Sequence, residues 1–480
     1  MLPAPAIEPI DHAIPKGLRT QMLKKDPDFR KVGPAGVMDY PLNPVDHVLL
    51  VTHESLRHRG YCGLSVMLIV DLEGPLPQAE LQRALHRLGT CYPALSAHIR
   101  YSSILHRPSW HLVGREPLEE AVEYEHHQLD PERDDILAPL NRVIDDPVNV
   151  HEGRQLRLVH IEMPGERHRL ALRWAHPLMD IEGGHALLGA LHDILCGREP
   201  SLNPDPAAAF PEPFAAGFPA AQLRAWQGRF LYASYDRLRQ PRIVQRPEAA
   251  PQHCRVALRA YVGEQRARFE ALAKERTAPG PLRYSRAILV ALARAYHQMA
   301  TNQGRPRSHY LFPQSLPLAR KGPRPGVCGN HVSIPWIVFA ASDLEDRAKA
   351  DAVAGRQFRD FFEKRRDQAM WYMYRAAARW PFGVTRWLTT HRLPRAAAGF
   401  TGYQFDQSVT HLGSARIVNL SGAGPMNCHP GWMFGRTTFG DRMNLSVTYF
   451  EDYFDTPNVE RFLDLMEQEL FGPDVSIAPV

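Results

Sequence analysis

Residues 170–188 read LALRWAHPLMDIEGGHALL. The aliphatic and aromatic beginning reads as the end of a strand, with His176 at its mouth. Asp180 follows four residues later, then the pair Gly183-Gly184. Leu187, Leu188, Leu191, Ile194 and Leu195 then form a helical stripe that ends near Gly197. A histidine at the end of a strand is held by a rigid element and can still be reached from a loop. With an ordinary pKa of about 6.5 it is largely neutral at pH 7 and can take a proton from an alcohol or amine. An aspartate in the same turn can lock the loop through backbone or arginine contacts. HxxxD alone is a common pattern, so a structural histidine is the default until the rest of the chain is weighed.

Upstream, Arg154–Met163 and His168–Ala175 are strand-like runs joined by the turn signal Pro164-Gly165, a hairpin that delivers the chain to His176. Gly63–Asp71 reads as a buried strand broken by Glu73-Gly74-Pro75. Gln78–Cys91 reads as a helix with Leu81, Leu85 and Leu88 on one face. Downstream, EPSLNPDPAAAFPEPFAAGFP from residue 199 reads as a linker or long crossing loop. The second half repeats the alternation. It predicts strands at Cys254–Ala260, His309–Leu318 and Asp441–Phe450, and helices at Gly263–Lys274, Ser285–Met299 and within Asp343–Trp371. A last helix is announced by Thr456-Pro457. The division expected is an N-terminal lobe over 1–198, a crossing segment over 199–250 and a C-terminal lobe over 251–480.

Composition bounds the function. With 44% apolar and 23% charged residues, the 480-residue chain can bury a large core and is not intrinsically disordered. Basic residues exceed acidic ones by only five, without a basic run, so nucleic acid is not an expected partner. Six cysteines without a CxxC pair argue for reduced thiols, against a disulfide framework or zinc site. The first residues lack a charged n-region and a continuous apolar stretch, so no secretory signal is expected. No apolar run is long enough to span a membrane, and the expected location is cytoplasmic. His126-His127 with Asp130 reads as a solvated loop, His151-Glu152 and Cys428-His429 as structural, and Lys364-Arg365-Arg366 as a wet helix face; no metal is expected. Trp371, Tyr372, Tyr374, Trp380, Phe382 and Trp387 read first as core. An apolar channel or a peripheral membrane or lipid contact is the other use open to them. The paired glycines at 33/36 and 422/424 and the stretch 431–440 fit neither a dinucleotide fingerprint nor a P-loop.

Residues 170–188 resemble the HHxxxDG active-site motif of the chloramphenicol acetyltransferase-like, CoA-dependent acyltransferase superfamily, which includes peptide-synthetase condensation domains and wax ester synthase/diacylglycerol acyltransferases. Further landmarks follow in the family's order. Pro41–Asp46 (PLNPVD) resembles the opening LSPxD, Cys91–Leu95 (CYPAL) the xxPxLR helix end, and Arg154–Leu158 (RQLRL) the PLRL lead into the hairpin. Leu316–Arg320 with Cys328–Ser333 (CGNHVS) is similar to PVSLR…LGNxVS, and Val409–Gly413 (VTHLG) to VSNLG. Met443–Asp455 matches the terminal sheet strand.

The resemblance implies two similar α/β lobes with mixed sheets in a V, around a central channel that thioester and acceptor enter from opposite faces. It implies His176 as general base, Asp180 as the residue that fixes the loop and points away from the channel, and Asn330 and Thr410 as positioning groups or oxyanion donors. The donor implied is an acyl-CoA or phosphopantetheine thioester, a substrate rather than a resident cofactor, and the acceptor an alcohol or amine. Wax synthase-like landmarks favour a hydrophobic alcohol. The sequence departs from the pattern at Ala175 for the first His, Ile181 for the Gly, Ser96 for the Arg after PxL, and His411 for the Asn of SNLG. Losing Ser96's Arg sends Asp180 elsewhere for a partner, with Arg173 and Arg320 the options. Losing the Gly raises a second reading, a binding or scaffold protein that kept the fold without turnover. A third is an acyl hydrolase using His176 on water.

Overall fold

The run SVMLIVDLE is apolar without a break from Val66 to Val70 because both faces of its strand are covered there. It lies at the middle of a sheet in the computed structural model, which describes residues 38–102, 107–112, 122–200, 216–235, 238, 253–280, 282–318, 326–392, 396–424, 431–451 and 453–472. The first half contains β1 (Met38–Pro41), α1 (Pro44–His58), β2 (Ser65–Glu73), α2 (Gln78–Cys91), β3 (His98–Tyr101) and β4 (Pro108–Leu112). It continues through β5 (Val122–Gln128), α3 (Ala138–Asp145), β6 (Leu156–Met163), β7 (Arg167–Ala175) and α4 (Ile181–Leu195).

The second half contains α5 (Phe218–Tyr235), β8 (Cys254–Val262), α6 (Glu264–Arg276), α7 (Arg283–Asn302), β9 (His309–Pro317), β10 (Val332–Ser333) and β11 (Trp336–Ala340). There follow α8 (Ala341–Leu344), α9 (Arg347–Glu363), α10 (Arg366–Ala377), α11 (Phe382–Arg392) and β12 (Gly399–Gln404). The chain closes with β13 (His411–Leu412), β14 (Ala415–Ala423), β15 (Trp432–Phe439), β16 (Arg442–Phe450) and α12 (Thr456–Phe471).

Each half builds a mixed sheet, as expected of the fold class. The first has the order β13-β14-β2-β7-β6-β5, with β5 and β6 parallel across α3. The second has the order β10-β9-β12-β15-β16-β8, with β12 parallel to both neighbours and β11 also pairing with β9. The predicted hairpin is β6–β7, and its register places Leu156 opposite Trp174. A three-stranded sheet, β1-β4-β3, flanks the first lobe.

The halves are not cleanly segregated. Strands β13 and β14 leave the second half and complete the first sheet against β2. One apolar cluster likewise runs across both lobes, with the Tyr61 and Phe450 rings 4.2 Å apart.

Four expectations change. The segment read as a linker contains the 18-residue helix α5, which packs on α10; residues 201–215, which carried most of the linker signal, lie outside the described residues. His126 and His127 are in strand β5, not a loop. As the edge of its sheet that strand can carry charge, and His126 pairs with Glu162 at 3.1 Å. Gly183 and Gly184 are helical, inside the first turn of α4. The cap of α12 is Asp455, one residue before the predicted Thr456, and it accepts from the Asn458 amide at 2.8 Å. Cys428-His429 lies outside the described residues. The five described cysteines are free.

Candidate active site

Strand β7 ends at Ala175, paired with Ser65 of β2, and the next amide, from His176, donates to the Leu64 carbonyl at 2.9 Å. The loop then turns on itself, with Leu178 N bonded to Ala175 O. The Met179 carbonyl organises the turn. It accepts from Trp174 Nε1 at 2.7 Å and lies 3.3 Å from His176 Nδ1. A carbonyl can only accept, so Nδ1 carries the ring proton and Nε2 is the basic nitrogen. His176 is 8% exposed. Burial pushes its pKa down to about 4, against smaller opposite effects from the Met179 carbonyl and the Asp180 charge. The imidazole is therefore neutral throughout the physiological range.

Asp180 begins α4 as its N-cap, and its Oδ1 accepts from Gly183 N at 2.9 Å. Its Oδ2 accepts from His331 N at 3.0 Å, in a segment of the other half. That segment, 328–331, straps the histidine loop. Gly329 N donates to Leu178 O at 2.7 Å, and Met179 and Gly329 form a parallel bridge. Asn330 Nδ2 donates to the His176 carbonyl at 2.8 Å and to Asp46 Oδ1 at 2.8 Å, and Asn330 N donates to the same oxygen. Asp46 sits in the first turn of α1, which Asn43 caps through the Val45 and Asp46 amides. Burial, first among the causes, raises the Asp46 pKa well above the usual carboxylate value. Three landmarks separated by more than a hundred residues thus meet beneath one histidine.

Above it lies a cavity of about 70 Å³, bordered on one side by Val66, His176, Asp180 and Ile181. The opposite wall is the second half: Ser315 of β9, Thr401 and Tyr403 of β12, and Met433, Gly435 and Thr437 of β15. Gly422 and Gly424 bring the crossing segment of β14 to the same space. The site is therefore built where the two lobes meet.

No protein-family model matches this chain, and no curated protein matches it. Solved structures do. The first condensation domain of the calcium-dependent antibiotic synthetase, in complex with a substrate analogue, matches with a TM-score of 0.65 and 14% identity, covering 91% of this chain and 97% of that one. A mutant starter condensation domain of rhizomide synthetase in complex with C8-CoA gives 0.58 and 12% over 90% and 95%. The condensation domain of the monacolin K polyketide synthase gives 0.58 and 12% over 91% and 97%. This chain has the condensation-domain fold. Two lobes built on mixed sheets are what the landmarks led one to expect.

Within the condensation-domain fold, the expected site residues part company. His176, Asp180 and Asn330 come together, and Asn330 spends its amide hydrogens on Asp46 and the loop carbonyls. It positions the loop and has no donor left for an oxyanion. Thr410 does not join them. It is exposed at the edge strand, bonded to His411 Nδ1 at 3.0 Å, and lines a separate cavity of about 400 Å³. Its place follows from β13 and β14 crossing to the first sheet, which carries the VTHLG segment to the far edge from β7. Arg173 donates to the Val143 and Asp146 carbonyls, and Arg320 lies outside the described residues. Among the described residues Asp180 accepts from the backbone amides of Gly183 and His331, and it borders the cavity. Ser315, Thr401, Tyr403, Arg436 and Thr437, polar residues that line the cavity with His176, carried no motif that could single them out.

Two glycine positions acquire a physical meaning. Ile181 occupies the first helical position after the cap, where no positive φ is required. The family's glycine is thus not needed here for a backbone turn; the consequence of Ile181 is steric. A Cβ added at Gly422 across the cavity would lie 3.3 Å from Ile181 Cδ1, so the isoleucine fills space at the site. At Gly184 a Cβ would overlap the ring of Trp174, the same ring that bonds the Met179 carbonyl. Gly184→Ala is expected to destabilise by about 1–3 kcal/mol by overpacking, measured by denaturant unfolding. It should also lower activity at temperatures where the variant stays folded; wild-type stability and rate would show that Trp174 is free to shift.

Proposed function

We propose that the protein transfers an acyl group from a CoA or carrier-protein thioester to an alcohol or amine. The observation that carries this is His176, its Nδ1 anchored on the Met179 carbonyl and its side chain bordering a cavity lined by residues of both lobes. The acceptor's O–H or N–H proton passes to Nε2 as its oxygen or nitrogen attacks the thioester carbonyl. The carbon–sulfur bond then breaks, and the imidazolium returns the proton to the departing thiolate. Holding donor and acceptor between two lobes supplies proximity, and no acyl-enzyme is needed. Ser315, Thr401, Tyr403 and Thr437 supply the hydroxyls on the wall where an oxyanion would form. The wax synthase-like landmarks support a hydrophobic alcohol as acceptor. The rhizomide synthetase starter condensation domain was solved in complex with C8-CoA, and a medium-chain acyl-CoA is the first donor to try here.

A second reading, a binding protein without turnover, has its own support. The cavity of about 70 Å³ holds a few waters, well under the roughly 300–1,000 Å³ of ordinary ligand sites, and Ile181 helps to fill it. The decisive experiment mixes the protein with C8-CoA and a panel of long-chain alcohols and amines, following free thiol and product mass. Acceptor-dependent thiol release with an ester or amide product is the expected result. Free acid alone would identify a hydrolase. Thioester binding without thiol release would establish the second reading.

A further inference from the structure

Helix α5 is apolar on two faces, and among the described residues only one of them is covered. Ala225 and Gly228 face inward, where a Cβ at Gly228 would overlap the Ala369 carbonyl of α10, so the two helices lie in close contact. On the outer face Leu223, Trp226 and Phe230 recur at helical spacing and are 56%, 65% and 70% exposed. Trp226 and Phe230 stack on each other, 6.1 Å apart, with no protein layer over them among the described residues. Helix α11 continues the surface with Val384 and Trp387, both about half exposed, and Trp380 stands just before it. Between α5 and α11 runs a groove of about 670 Å³ lined by Ala225, Trp226, Met373, Tyr374, Trp380 and Leu388. Contiguous apolar surface of this kind on a water-soluble fold marks an interaction site.

Charge identifies the occupant. Across 218–235 and 366–392 the chain has seven arginines (224, 229, 366, 375, 379, 386 and 392) and one carboxylate, Asp367, which is buried. Arg229 and Arg379 line the groove itself. Outward tryptophan and phenylalanine among arginines, with exposed carboxylates missing from the same helices, match the boundary of an anionic bilayer. There aromatic rings sit at headgroup level, and guanidinium groups reach the phosphates.

We propose that this face, α5 together with α11 and the groove between them, docks the protein on an anionic phospholipid membrane. The groove then opens toward the acyl chains. Its floor residue Tyr374 belongs to the cluster against which Val332 packs, and Val332 also borders the His176 cavity. The groove and the His176 cavity therefore both touch this one apolar cluster. The docking itself does not depend on His176 turning over a thioester.

The test is co-sedimentation of the full chain with vesicles of equal parts phosphatidylglycerol and phosphatidylcholine, and with phosphatidylcholine alone. Binding to the anionic vesicles is expected to exceed binding to neutral ones by about tenfold and to weaken with salt. The pair Trp226→Ser/Phe230→Ser removes side chains already in solvent, so its melting temperature should match wild type while vesicle binding falls at least about tenfold. Arg224→Glu/Arg229→Glu should abolish the preference for anionic lipid. The proposal is overturned if wild type stays in the supernatant with both vesicles, or if the aromatic pair binds as wild type does. It is also overturned if light scattering shows a wild-type dimer that the same pair dissociates and vesicle binding is absent, because the face would then be an interface between two copies.

Discussion

His176→Ala is expected to lower kcat/KM for acceptor-dependent thioester consumption by about 10²–10⁴-fold, the usual worth of a positioned general base. The fold should survive, since the loop retains the Asp180, Asn330 and Gly329 contacts that do not use the imidazole. The pH profile sharpens the assignment. With the ring held neutral down to about 4, the acid limb of kcat/KM for wild type should fall near pH 4 rather than near 6.5, over whatever range the protein stays folded. An undiminished rate in the alanine variant would remove His176 from the chemistry. A variant that also fails to bind C8-CoA would point to a structural collapse of the loop, which a melting curve detects separately.

Acidification should cost stability steeply. His47, His53, His160 and His176 are each held down to about 4, chiefly by burial, whereas the same groups in an unfolded chain titrate at about 6.5. Between those values the unfolded chain binds protons that the folded one refuses, so stability rises with pH there and is lost as pH falls from about 6.5 toward 4. Each such group contributes at most about 1.4 kcal/mol per pH unit in that window. Four together reach a few kcal/mol per unit, a large part of the roughly 5–15 kcal/mol that holds a domain folded. Asp46 acts in the opposite direction. Its raised pKa means the folded state keeps a proton the unfolded state has released, a cost that grows as pH rises above the usual carboxylate value and is relieved by acid. Asp367, raised by burial, and His151, raised chiefly by its bond to Glu54, act in the same direction as Asp46, but they are fewer than the depressed imidazoles and the net sign is unchanged. Melting temperature measured from pH 7.5 to 5 should therefore drop progressively; a flat curve would show that these rings reach solvent.

Much of the architecture could be read directly. Each of β2, α2, β6, β7, α7, β9 and β16 was announced by its own residues, because a period of 2 or 3.6 records which face of an element is buried. The HxxxD loop was legible as well, since a strand, a histidine, an N-capping aspartate and a helix are neighbours in the chain. At Ile181 the departure from the family's glycine matters through its side chain, which fills space beside Gly422. Thr410 failed for a reason of its own. Its motif is local, but its distance from His176 depends on which sheet β13 and β14 join, and β14, which carries β13 at its edge, pairs with β2, more than 300 residues earlier.

Chain order alone determined that the protein has two α/β halves and that a histidine ends a buried strand of the first. Only the folded molecule decided that the 328–331 strap, the α1 carboxyl and the walls from β9, β12 and β15 surround that histidine. It also decided that, among the described residues, nothing covers the outer face of α5. Local periodicity is set by each segment's own backbone geometry, whereas the neighbours of a site are set by long-range packing, which leaves no fixed spacing in the sequence to read.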